Sequence, residues 1–236
     1  MTSKLFIVAM AFSAFTGARA QYVYSFTNGV VIPDNSATGY QDSRTLSDIP
    51  GVISDVNVNL ELSGGFNGDL YAWLSHGDGL AMLLNRVGLS TNNSVGYADR
   101  GFGPDSLQNP FTLDDQAAQD VHSYRAGFFV LNGNGQLTGV WQPDGRLLDP
   151  ASAGYLFDGA PRTNQLSGFN GLSPNGTWML FVADVSGAGI STLKGWGLEI
   201  SVVPEPGTIS LWLLGCAVLM WRLLSGRRRA GALAGR

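Results

Sequence analysis

The stretch VNVNLEL, residues 56–62, alternates apolar and polar side chains without a break. A strand sends successive side chains to opposite faces, so this pattern yields one apolar and one polar surface. Val56, Val58, Leu60 and Leu62 make the first; Asn57, Asn59 and Glu61 make the second. The same period recurs in DLYAWLS (69–75), where Leu70, Ala72 and Leu74 oppose Tyr71 and Trp73. In TWMLFVAD (177–184) it aligns Trp178, Leu180 and Val182, and in WGLEISV (196–202) Trp196, Leu198, Ile200 and Val202. LAMLL (80–84) reads as a further short strand. The turns SGGFNGD, HGDG and VSGAGIS separate these runs, and the 32 glycines of the chain follow no period.

No stretch of the body, residues 21–202, holds helical periodicity over three turns; DDQAAQDVHSY (114–124) reads as a single short helix. Strands with short glycine-rich turns predict an all-β chain, a jelly-roll-like β-sandwich over residues 21–202. That length is enough for a two-sheet core. The only cysteine, Cys216, lies outside the sandwich, so the body has no disulfide and no thiolate metal site. Residues 21–203 carry 17 acidic and seven basic side chains. Such a surface excludes a nucleic-acid partner, whose phosphates demand cations.

Both ends of the 236-residue chain read as addresses. Lys4, the apolar run from Leu5 to Phe15 and the small residues Ala18 and Ala20 around Arg19 have the order of a secretory signal peptide, residues 1–20, with cleavage before Gln21. At the other end Ile209 to Trp221 is apolar apart from Ser210, and Arg222 and Arg227, Arg228 and Arg229 follow. This predicts a C-terminal transmembrane helix, with Arg222 snorkelling to the interface and the arginine cluster on the cytoplasmic side. A plain membrane anchor is the simpler form of that reading.

Pro204, Glu205 and Pro206, a short apolar helix and a basic cluster resemble, in that order, the PEP-CTERM sorting signal of bacteria that make exopolysaccharide. The resemblance covers about residues 202–229. It implies an exosortase-type membrane transpeptidase as partner and removal of the tail, with residues 230–236 left as a short extension. Two prolines keep the junction extended, where such an enzyme can reach it.

IPGVISDVNVNLELSGGFNGDLYAWLSHGDG (49–79) resembles the opening of the P domain (P/Homo B) of proprotein convertases. FNGLSPNGTWMLFVADVSGAGISTLKGWGLEI (169–200) resembles its close, and FTLDDQAAQDV (111–121) an Asp-Asp segment of bacterial relatives. The resemblance spans about residues 49–202, with 121–169 its weakest part, and implies a jelly-roll sandwich. Another sandwich, of carbohydrate-binding or lectin-like type, remains the alternative. In convertases the P domain stabilises a protease; here the predicted leader runs almost directly into the sandwich.

Catalytic patterns are thin. His76 stands beside Ser75 and Asp78, but triads are recognised by converging geometry, not adjacency; His76 reads as a polar turn residue. His122 reads as a surface residue. Two histidines and no body cysteine disfavour a catalytic zinc. Asp114 and Asp115 are adjacent, so their carboxylates diverge on a strand or short helix; they read as turn or capping groups. Glycine runs such as GNGQLTG lack the Lys and Ser/Thr of a phosphate loop. Calcium is the one cofactor the residues admit, since it takes oxygens from flexible loops and some P domains bind it. Asp69, Asp78, Asp115 and Asp184 are its candidates by loop position. Tyr71, Trp73 and Trp141 are candidates for stacking on a sugar.

The expectation is therefore an exported bacterial protein, first held at the inner membrane by its C-terminal helix, then displayed at the cell surface or in the extracellular matrix. Its sandwich would be non-enzymatic, a binding or structural module. A carbohydrate module for exopolysaccharide is one alternative, and a peptidase-associated accessory domain a second.

Overall fold

A computed structural model describes residues 19–203, residue 212 and residues 215–220. The strands are β1 (Ala20–Val31), β2 (Ser36–Leu46), β3 (Val52–Gly64), β4 (Leu70–His76), β5 (Gly79–Asn85), β6 (Gly101–Phe102), β7 (Phe111–Leu113), β8 (Val140–Trp141), β9 (Gly176–Asp184) and β10 (Ser191–Val203). They form two sheets. One runs β1-β10-β3-β7-β8, with β6 also on β3; the other runs β2-β9-β4-β5. Apolar faces of both sheets meet in one core, so the chain is an all-β sandwich.

The alternating runs supply that core. On β3, Val56, Val58, Leu60 and Leu62 are buried, and on β10 Trp196, Leu198, Ile200 and Val202 lie beside them in register. Each such aliphatic side chain contributes about 1.5–3 kcal/mol by leaving water. Leu193 breaks the even-numbered phase of β10 yet is also buried. A bulge resolves this: Leu193 pairs with Leu62 and Gly195 with Glu61, so Lys194 is the extra residue and stays exposed. Skipping Ser54 on β3 does the same for Ile53 and Val56. In the second sheet Leu70, Ala72 and Leu74 of β4 face inward with Trp178, Leu180 and Val182 of β9.

A polar staple joins the sheets at their first strands. Asp42 of β2 accepts from Asn28 of β1 at 2.9 Å, Trp196 of β10 at 2.7 Å and Arg44 at 3.0 Å. Burial opposes the charge on Asp42, but these three donors together hold its carboxyl below the usual range.

The segment between β5 and β9 is mostly irregular. It holds the 3-10 turns Val121–Ala126 and Leu166–Phe169 and one short helix, α1 (Gly154–Gly159). The helix expected over 114–124 does not form. Only Val121–Ala126 winds, as a 3-10 turn started by the Asp120 side chain, which accepts from the His122 backbone N–H. Asp114 closes a turn on the Gln116 N–H, and Asp115 accepts from the Leu166 and Ser167 N–H groups at the next 3-10 turn.

Residue 212 and residues 215–220 are helical, with Trp212, Val218, Leu219 and Met220 exposed. Among the described residues no helix is long and apolar enough to cross a membrane. The expected span 209–221 lies mostly outside them, as do Ala18, Pro204 to Pro206, Arg227 to Arg229 and residues 230–236. Ala20 is the first residue of β1 and pairs with Val202.

Candidate functional site

Two of the four aspartates named as calcium candidates meet at one end of the sandwich. The turn after β3 passes through Gly64 and Gly65, both at positive φ, into the 3-10 turn Asn67–Asp69. The Asp69 carbonyl accepts from the Val185 N–H at 2.8 Å, and Leu70 pairs with Asp184, the last residue of β9. This brings the two carboxylates together. Asp184 is fully buried; its Oδ2 accepts from the Ser191 hydroxyl at 2.7 Å, while its Oδ1 is buried with no partner. Gly65 makes room for this pair. A Cβ there would lie 2.0 Å from Ser191 Oγ and 3.3 Å from Asp184 Oδ2.

Burial and then the charge of Asp184 push the Asp69 carboxyl up to about 6, against the pull of Arg86. Burial likewise raises Asp184, and Asp34 adds to it against the Ser191 bond. Arg86 stands 4.0 Å from Asp69 and donates to the Gly68 and Pro150 carbonyls. Asp69 and Asp184 thus share one guanidinium. Asp78 is not among them: it is exposed in the β4–β5 turn. Asp115 is occupied at the distant 3-10 turn. Among the described residues no three His, Cys, Asp or Glu side chains group as a metal set.

Both histidines lie elsewhere than expected. His76 is not a turn residue; it ends β4, buried, with its ring stacked on Trp178 at 4.1 Å and 3°. Its Nδ1 faces the Thr177 carbonyl at 3.0 Å and its Nε2 the Ser173 carbonyl at 2.7 Å. His122 is not on the surface. It is buried, with Nδ1 2.6 Å from Asp144 Oδ2 and Nε2 3.0 Å from the Leu89 carbonyl. Asp144, fully buried, also meets Arg146 at 3.2 Å, and Arg146 reaches Asp120 at 2.8 Å. Burial disfavours the imidazolium, but the hydrogen bond and charge of Asp144 outweigh it and hold His122 above the ordinary value. A second buried cluster joins Tyr124 and a bidentate Arg125 on Asp99, with Asn67 on the tyrosine hydroxyl. Sequence gave no sign of Asp144 or Asp99 as partners, since they lie 22 and 25 residues from the groups they bind.

No family model matches the chain, and neither does any curated protein. Two solved structures share part of its shape. One is the Aeromonas sobria serine protease in complex with its chaperone: 15% identity, TM-score 0.43, 80% of this chain and 28% of that one covered. The other is a second crystal structure of that serine protease, with 15% identity, TM-score 0.41 and 81% and 28% coverage. This chain therefore spans 28% of the length of either.

The aromatic candidates divide. Trp141 is buried and donates its indole N–H to the Thr138 carbonyl at 2.8 Å, so it offers no open face. Beside it runs a cleft of about 700 Å³ lined by Phe128, Phe129, Val130 and Val140, with Gln119 and Asn132 as polar groups. Trp73 and Tyr71 do point outward, half-buried, from the β2-β9-β4-β5 sheet. There Trp73 stacks on Phe181 at 5.1 Å and 15°, and Tyr71 meets the same ring edge-on at 6.3 Å. At Gly39, where φ is +51°, an added Cβ would lie 2.7 Å from the Phe181 ring and 2.5 Å from the Val182 carbonyl oxygen, so the close approach of β2 here needs glycine.

Proposed function

We propose that this chain is an exported bacterial surface or matrix protein. Its sandwich is a jelly roll of the P-domain type that binds or supports rather than catalyses, sorted through Pro204, Glu205 and Pro206 by an exosortase-type enzyme. The observation that carries the non-enzymatic reading is the engagement of both imidazoles. All four ring nitrogens face fixed oxygens of the protein itself, at 2.6 to 3.0 Å. A general base needs a nitrogen within reach of a substrate proton, and these are turned inward. The sorting reading rests on the order of the Pro-Glu-Pro motif, the apolar run and the arginines.

The test is the intact mass of the protein from membrane and extracellular fractions of its native host. The expected mature form lacks residues 1–20 and the segment after Pro206. Glu205→Ala is expected to leave the tail attached and hold the protein in the membrane fraction. Normal trimming of that variant, or a wild-type mass that retains residues 209–236, would overturn the sorting reading.

The outward Trp73–Phe181 pair favours a second reading, a carbohydrate module. The two stacked rings place apolar surface on the outer face of the sheet, and Gln41 and Ser43 stand on the adjoining β2 strand opposite Phe181 and Met179. Trp73→Ala is then expected to weaken binding to the host exopolysaccharide roughly tenfold or more, read by affinity electrophoresis. Unchanged retardation would remove this reading.

A further inference from the structure

We infer that β1 is an interface: its open edge takes the β1 of a second copy of this chain, antiparallel, about a two-fold axis at Tyr24. β1 stands at the end of its sheet and pairs with β10 alone among the described strands. It is 12 residues long, AQYVYSFTNGVV, with no charge, no proline and no buried residue. A bare edge is a template for another strand, and charge, proline or brevity are the usual means of blunting it. The other sheet edges are blunted. β2 carries Asp42 and Arg44, and β8 has only two residues. On β5, Met82 donates to the Asn164 carbonyl and Leu83 accepts from the Asp144 N–H, so loop backbone covers that edge.

The glycines of β10 show which backbone groups of β1 are free. A Cβ added at Gly197 would lie 2.6 Å from the Tyr24 carbonyl oxygen, and one at Gly195 2.7 Å from that of Phe26. Those carbonyls therefore point at β10. Peptide groups alternate in direction along a strand. The N–H and C=O groups of Gln21, Val23, Ser25 and Thr27 thus point to the open side.

The register follows from the strand itself. Its regular part runs from Gln21 to the bulge between Thr27 and Val30, where Gly29 has φ +71°. Tyr24 is the midpoint. A second copy centred there sets Val23 of one chain against Ser25 of the other and Gln21 against Thr27. These are the residues whose backbone groups are free, and they form the hydrogen-bonded pairs. Tyr24 meets Tyr24, and Tyr22 meets Phe26, as the non-bonded pairs, whose side chains stand closest. Tyr22, Tyr24 and Phe26 are half-exposed on the inner face, with Tyr24 and Phe26 already stacked at 6.4 Å and 13°. The partner covers this row with the same row reversed, so every ring faces a ring, a favourable cross-strand pairing. This self-match selects a second copy as the occupant, and the uncharged edge offers nothing to a charged partner. A two-fold contact of this kind closes at a dimer. It needs neither the sorting nor the sugar reading, and loss of residues 1–20 would leave Gln21 to Thr27 whole.

The experiment is sedimentation of the full-length chain in density-matched detergent, over rising protein concentration. A reversible monomer–dimer equilibrium in the micromolar range is expected. With 17 acidic and seven basic side chains over residues 21–203, the bodies repel, so the dimer should tighten as salt is raised from about 0.05 to 0.5 M. Val23→Lys combined with Ser25→Lys puts like charges opposite each other on exposed positions and should weaken association at least tenfold, with the thermal midpoint of the monomer unchanged. Val23→Lys combined with Ser25→Glu puts opposite charges across the axis and should keep the dimer. In a Cys216→Ser background, Tyr24→Cys should form a disulfide between copies under mild oxidant, since Cα atoms of a non-bonded pair are about 4.5 Å apart. Val31→Cys, beyond the bulge, should not. A chain monomeric at every concentration overturns the interface. So does undiminished association of the Val23→Lys, Ser25→Lys chain, or a Tyr24→Cys chain that links no faster than the Val31→Cys chain. Equal loss of association in both charge variants overturns the register.

Discussion

Replacing Trp178 by alanine is expected to lower the free energy of unfolding by about 3–5 kcal/mol. The side chain is wholly buried in the core, near the start of β9 where it pairs with the end of β4. His76 covers one face at 4.1 Å, Phe169 leans on it at 5.1 Å and 58°, and its indole N–H donates to the Pro174 carbonyl at 3.0 Å. Alanine removes all three contacts and leaves a cavity that stiff strands on either side cannot close. Trp178→Phe keeps most of the volume and loses the donor, so it should cost less, about 1–3 kcal/mol. Urea unfolding measures both, and an unchanged slope against urea confirms that only stability moved. A Trp178→Ala loss below about 1 kcal/mol would contradict the packing described.

Asp144→Asn is the second large effect, also about 3–5 kcal/mol. The carboxylate lies at the centre of a buried set in which His122 and Arg146 are its cationic partners and Asp120 balances Arg146. An amide leaves His122 without its carboxylate and Arg146 with Asp120 alone, which is the costly way to break a buried set. The same network makes stability depend on pH. His122 has a folded pKa above its unfolded value of about 6.5. Its imidazolium therefore contributes fully below that unfolded value, and the contribution is lost as pH rises through the folded pKa. The stability gap between wild type and His122→Gln should shrink as the pH is raised from about 6 to 9. A gap constant across that range would mean that the ring is neutral throughout.

The strands that sequence made legible are those whose inward positions are all apolar. VNVNLEL and WGLEISV are buried on one side only, so the pattern survives intact in β3 and β10. The opening strands β1 and β2 were harder to see for a physical reason. Their inner positions include Asn28 and Asp42, which meet each other across the sheets, and a pattern scored on apolar residues loses its phase there. The bulge at Lys194 hides Leu193 in the same way. The middle of the chain was misread more deeply. In residues 114–126 local composition favours a helix, but Asp114, Asp115 and Asp120 each spend their carboxylates on backbone N–H groups, which breaks the segment into turns. His122 looked like a surface group because nothing near it in sequence announces Asp144. The paired Asp69 and Asp184 were nameable from their places at strand ends; that they lie side by side, with Asp34 near, depends on a strand register no local pattern encodes.

The pairing of Ala20 with Val202 also has a mechanical meaning. β10 is flanked on one side by β1 and on the other by β3, with hydrogen-bonded partners along nearly its whole length. A pull on the chain beyond Val203 runs along β10, at right angles to the bonds of both ladders. Many bonds then share the load at once, as in a lap joint, and none can be peeled singly. A pull applied between Ala20 and Val203 would instead part the same β1–β10 ladder one rung at a time. The domain is thus built to resist traction through its C-terminal strand far better than a force that separates its two ends.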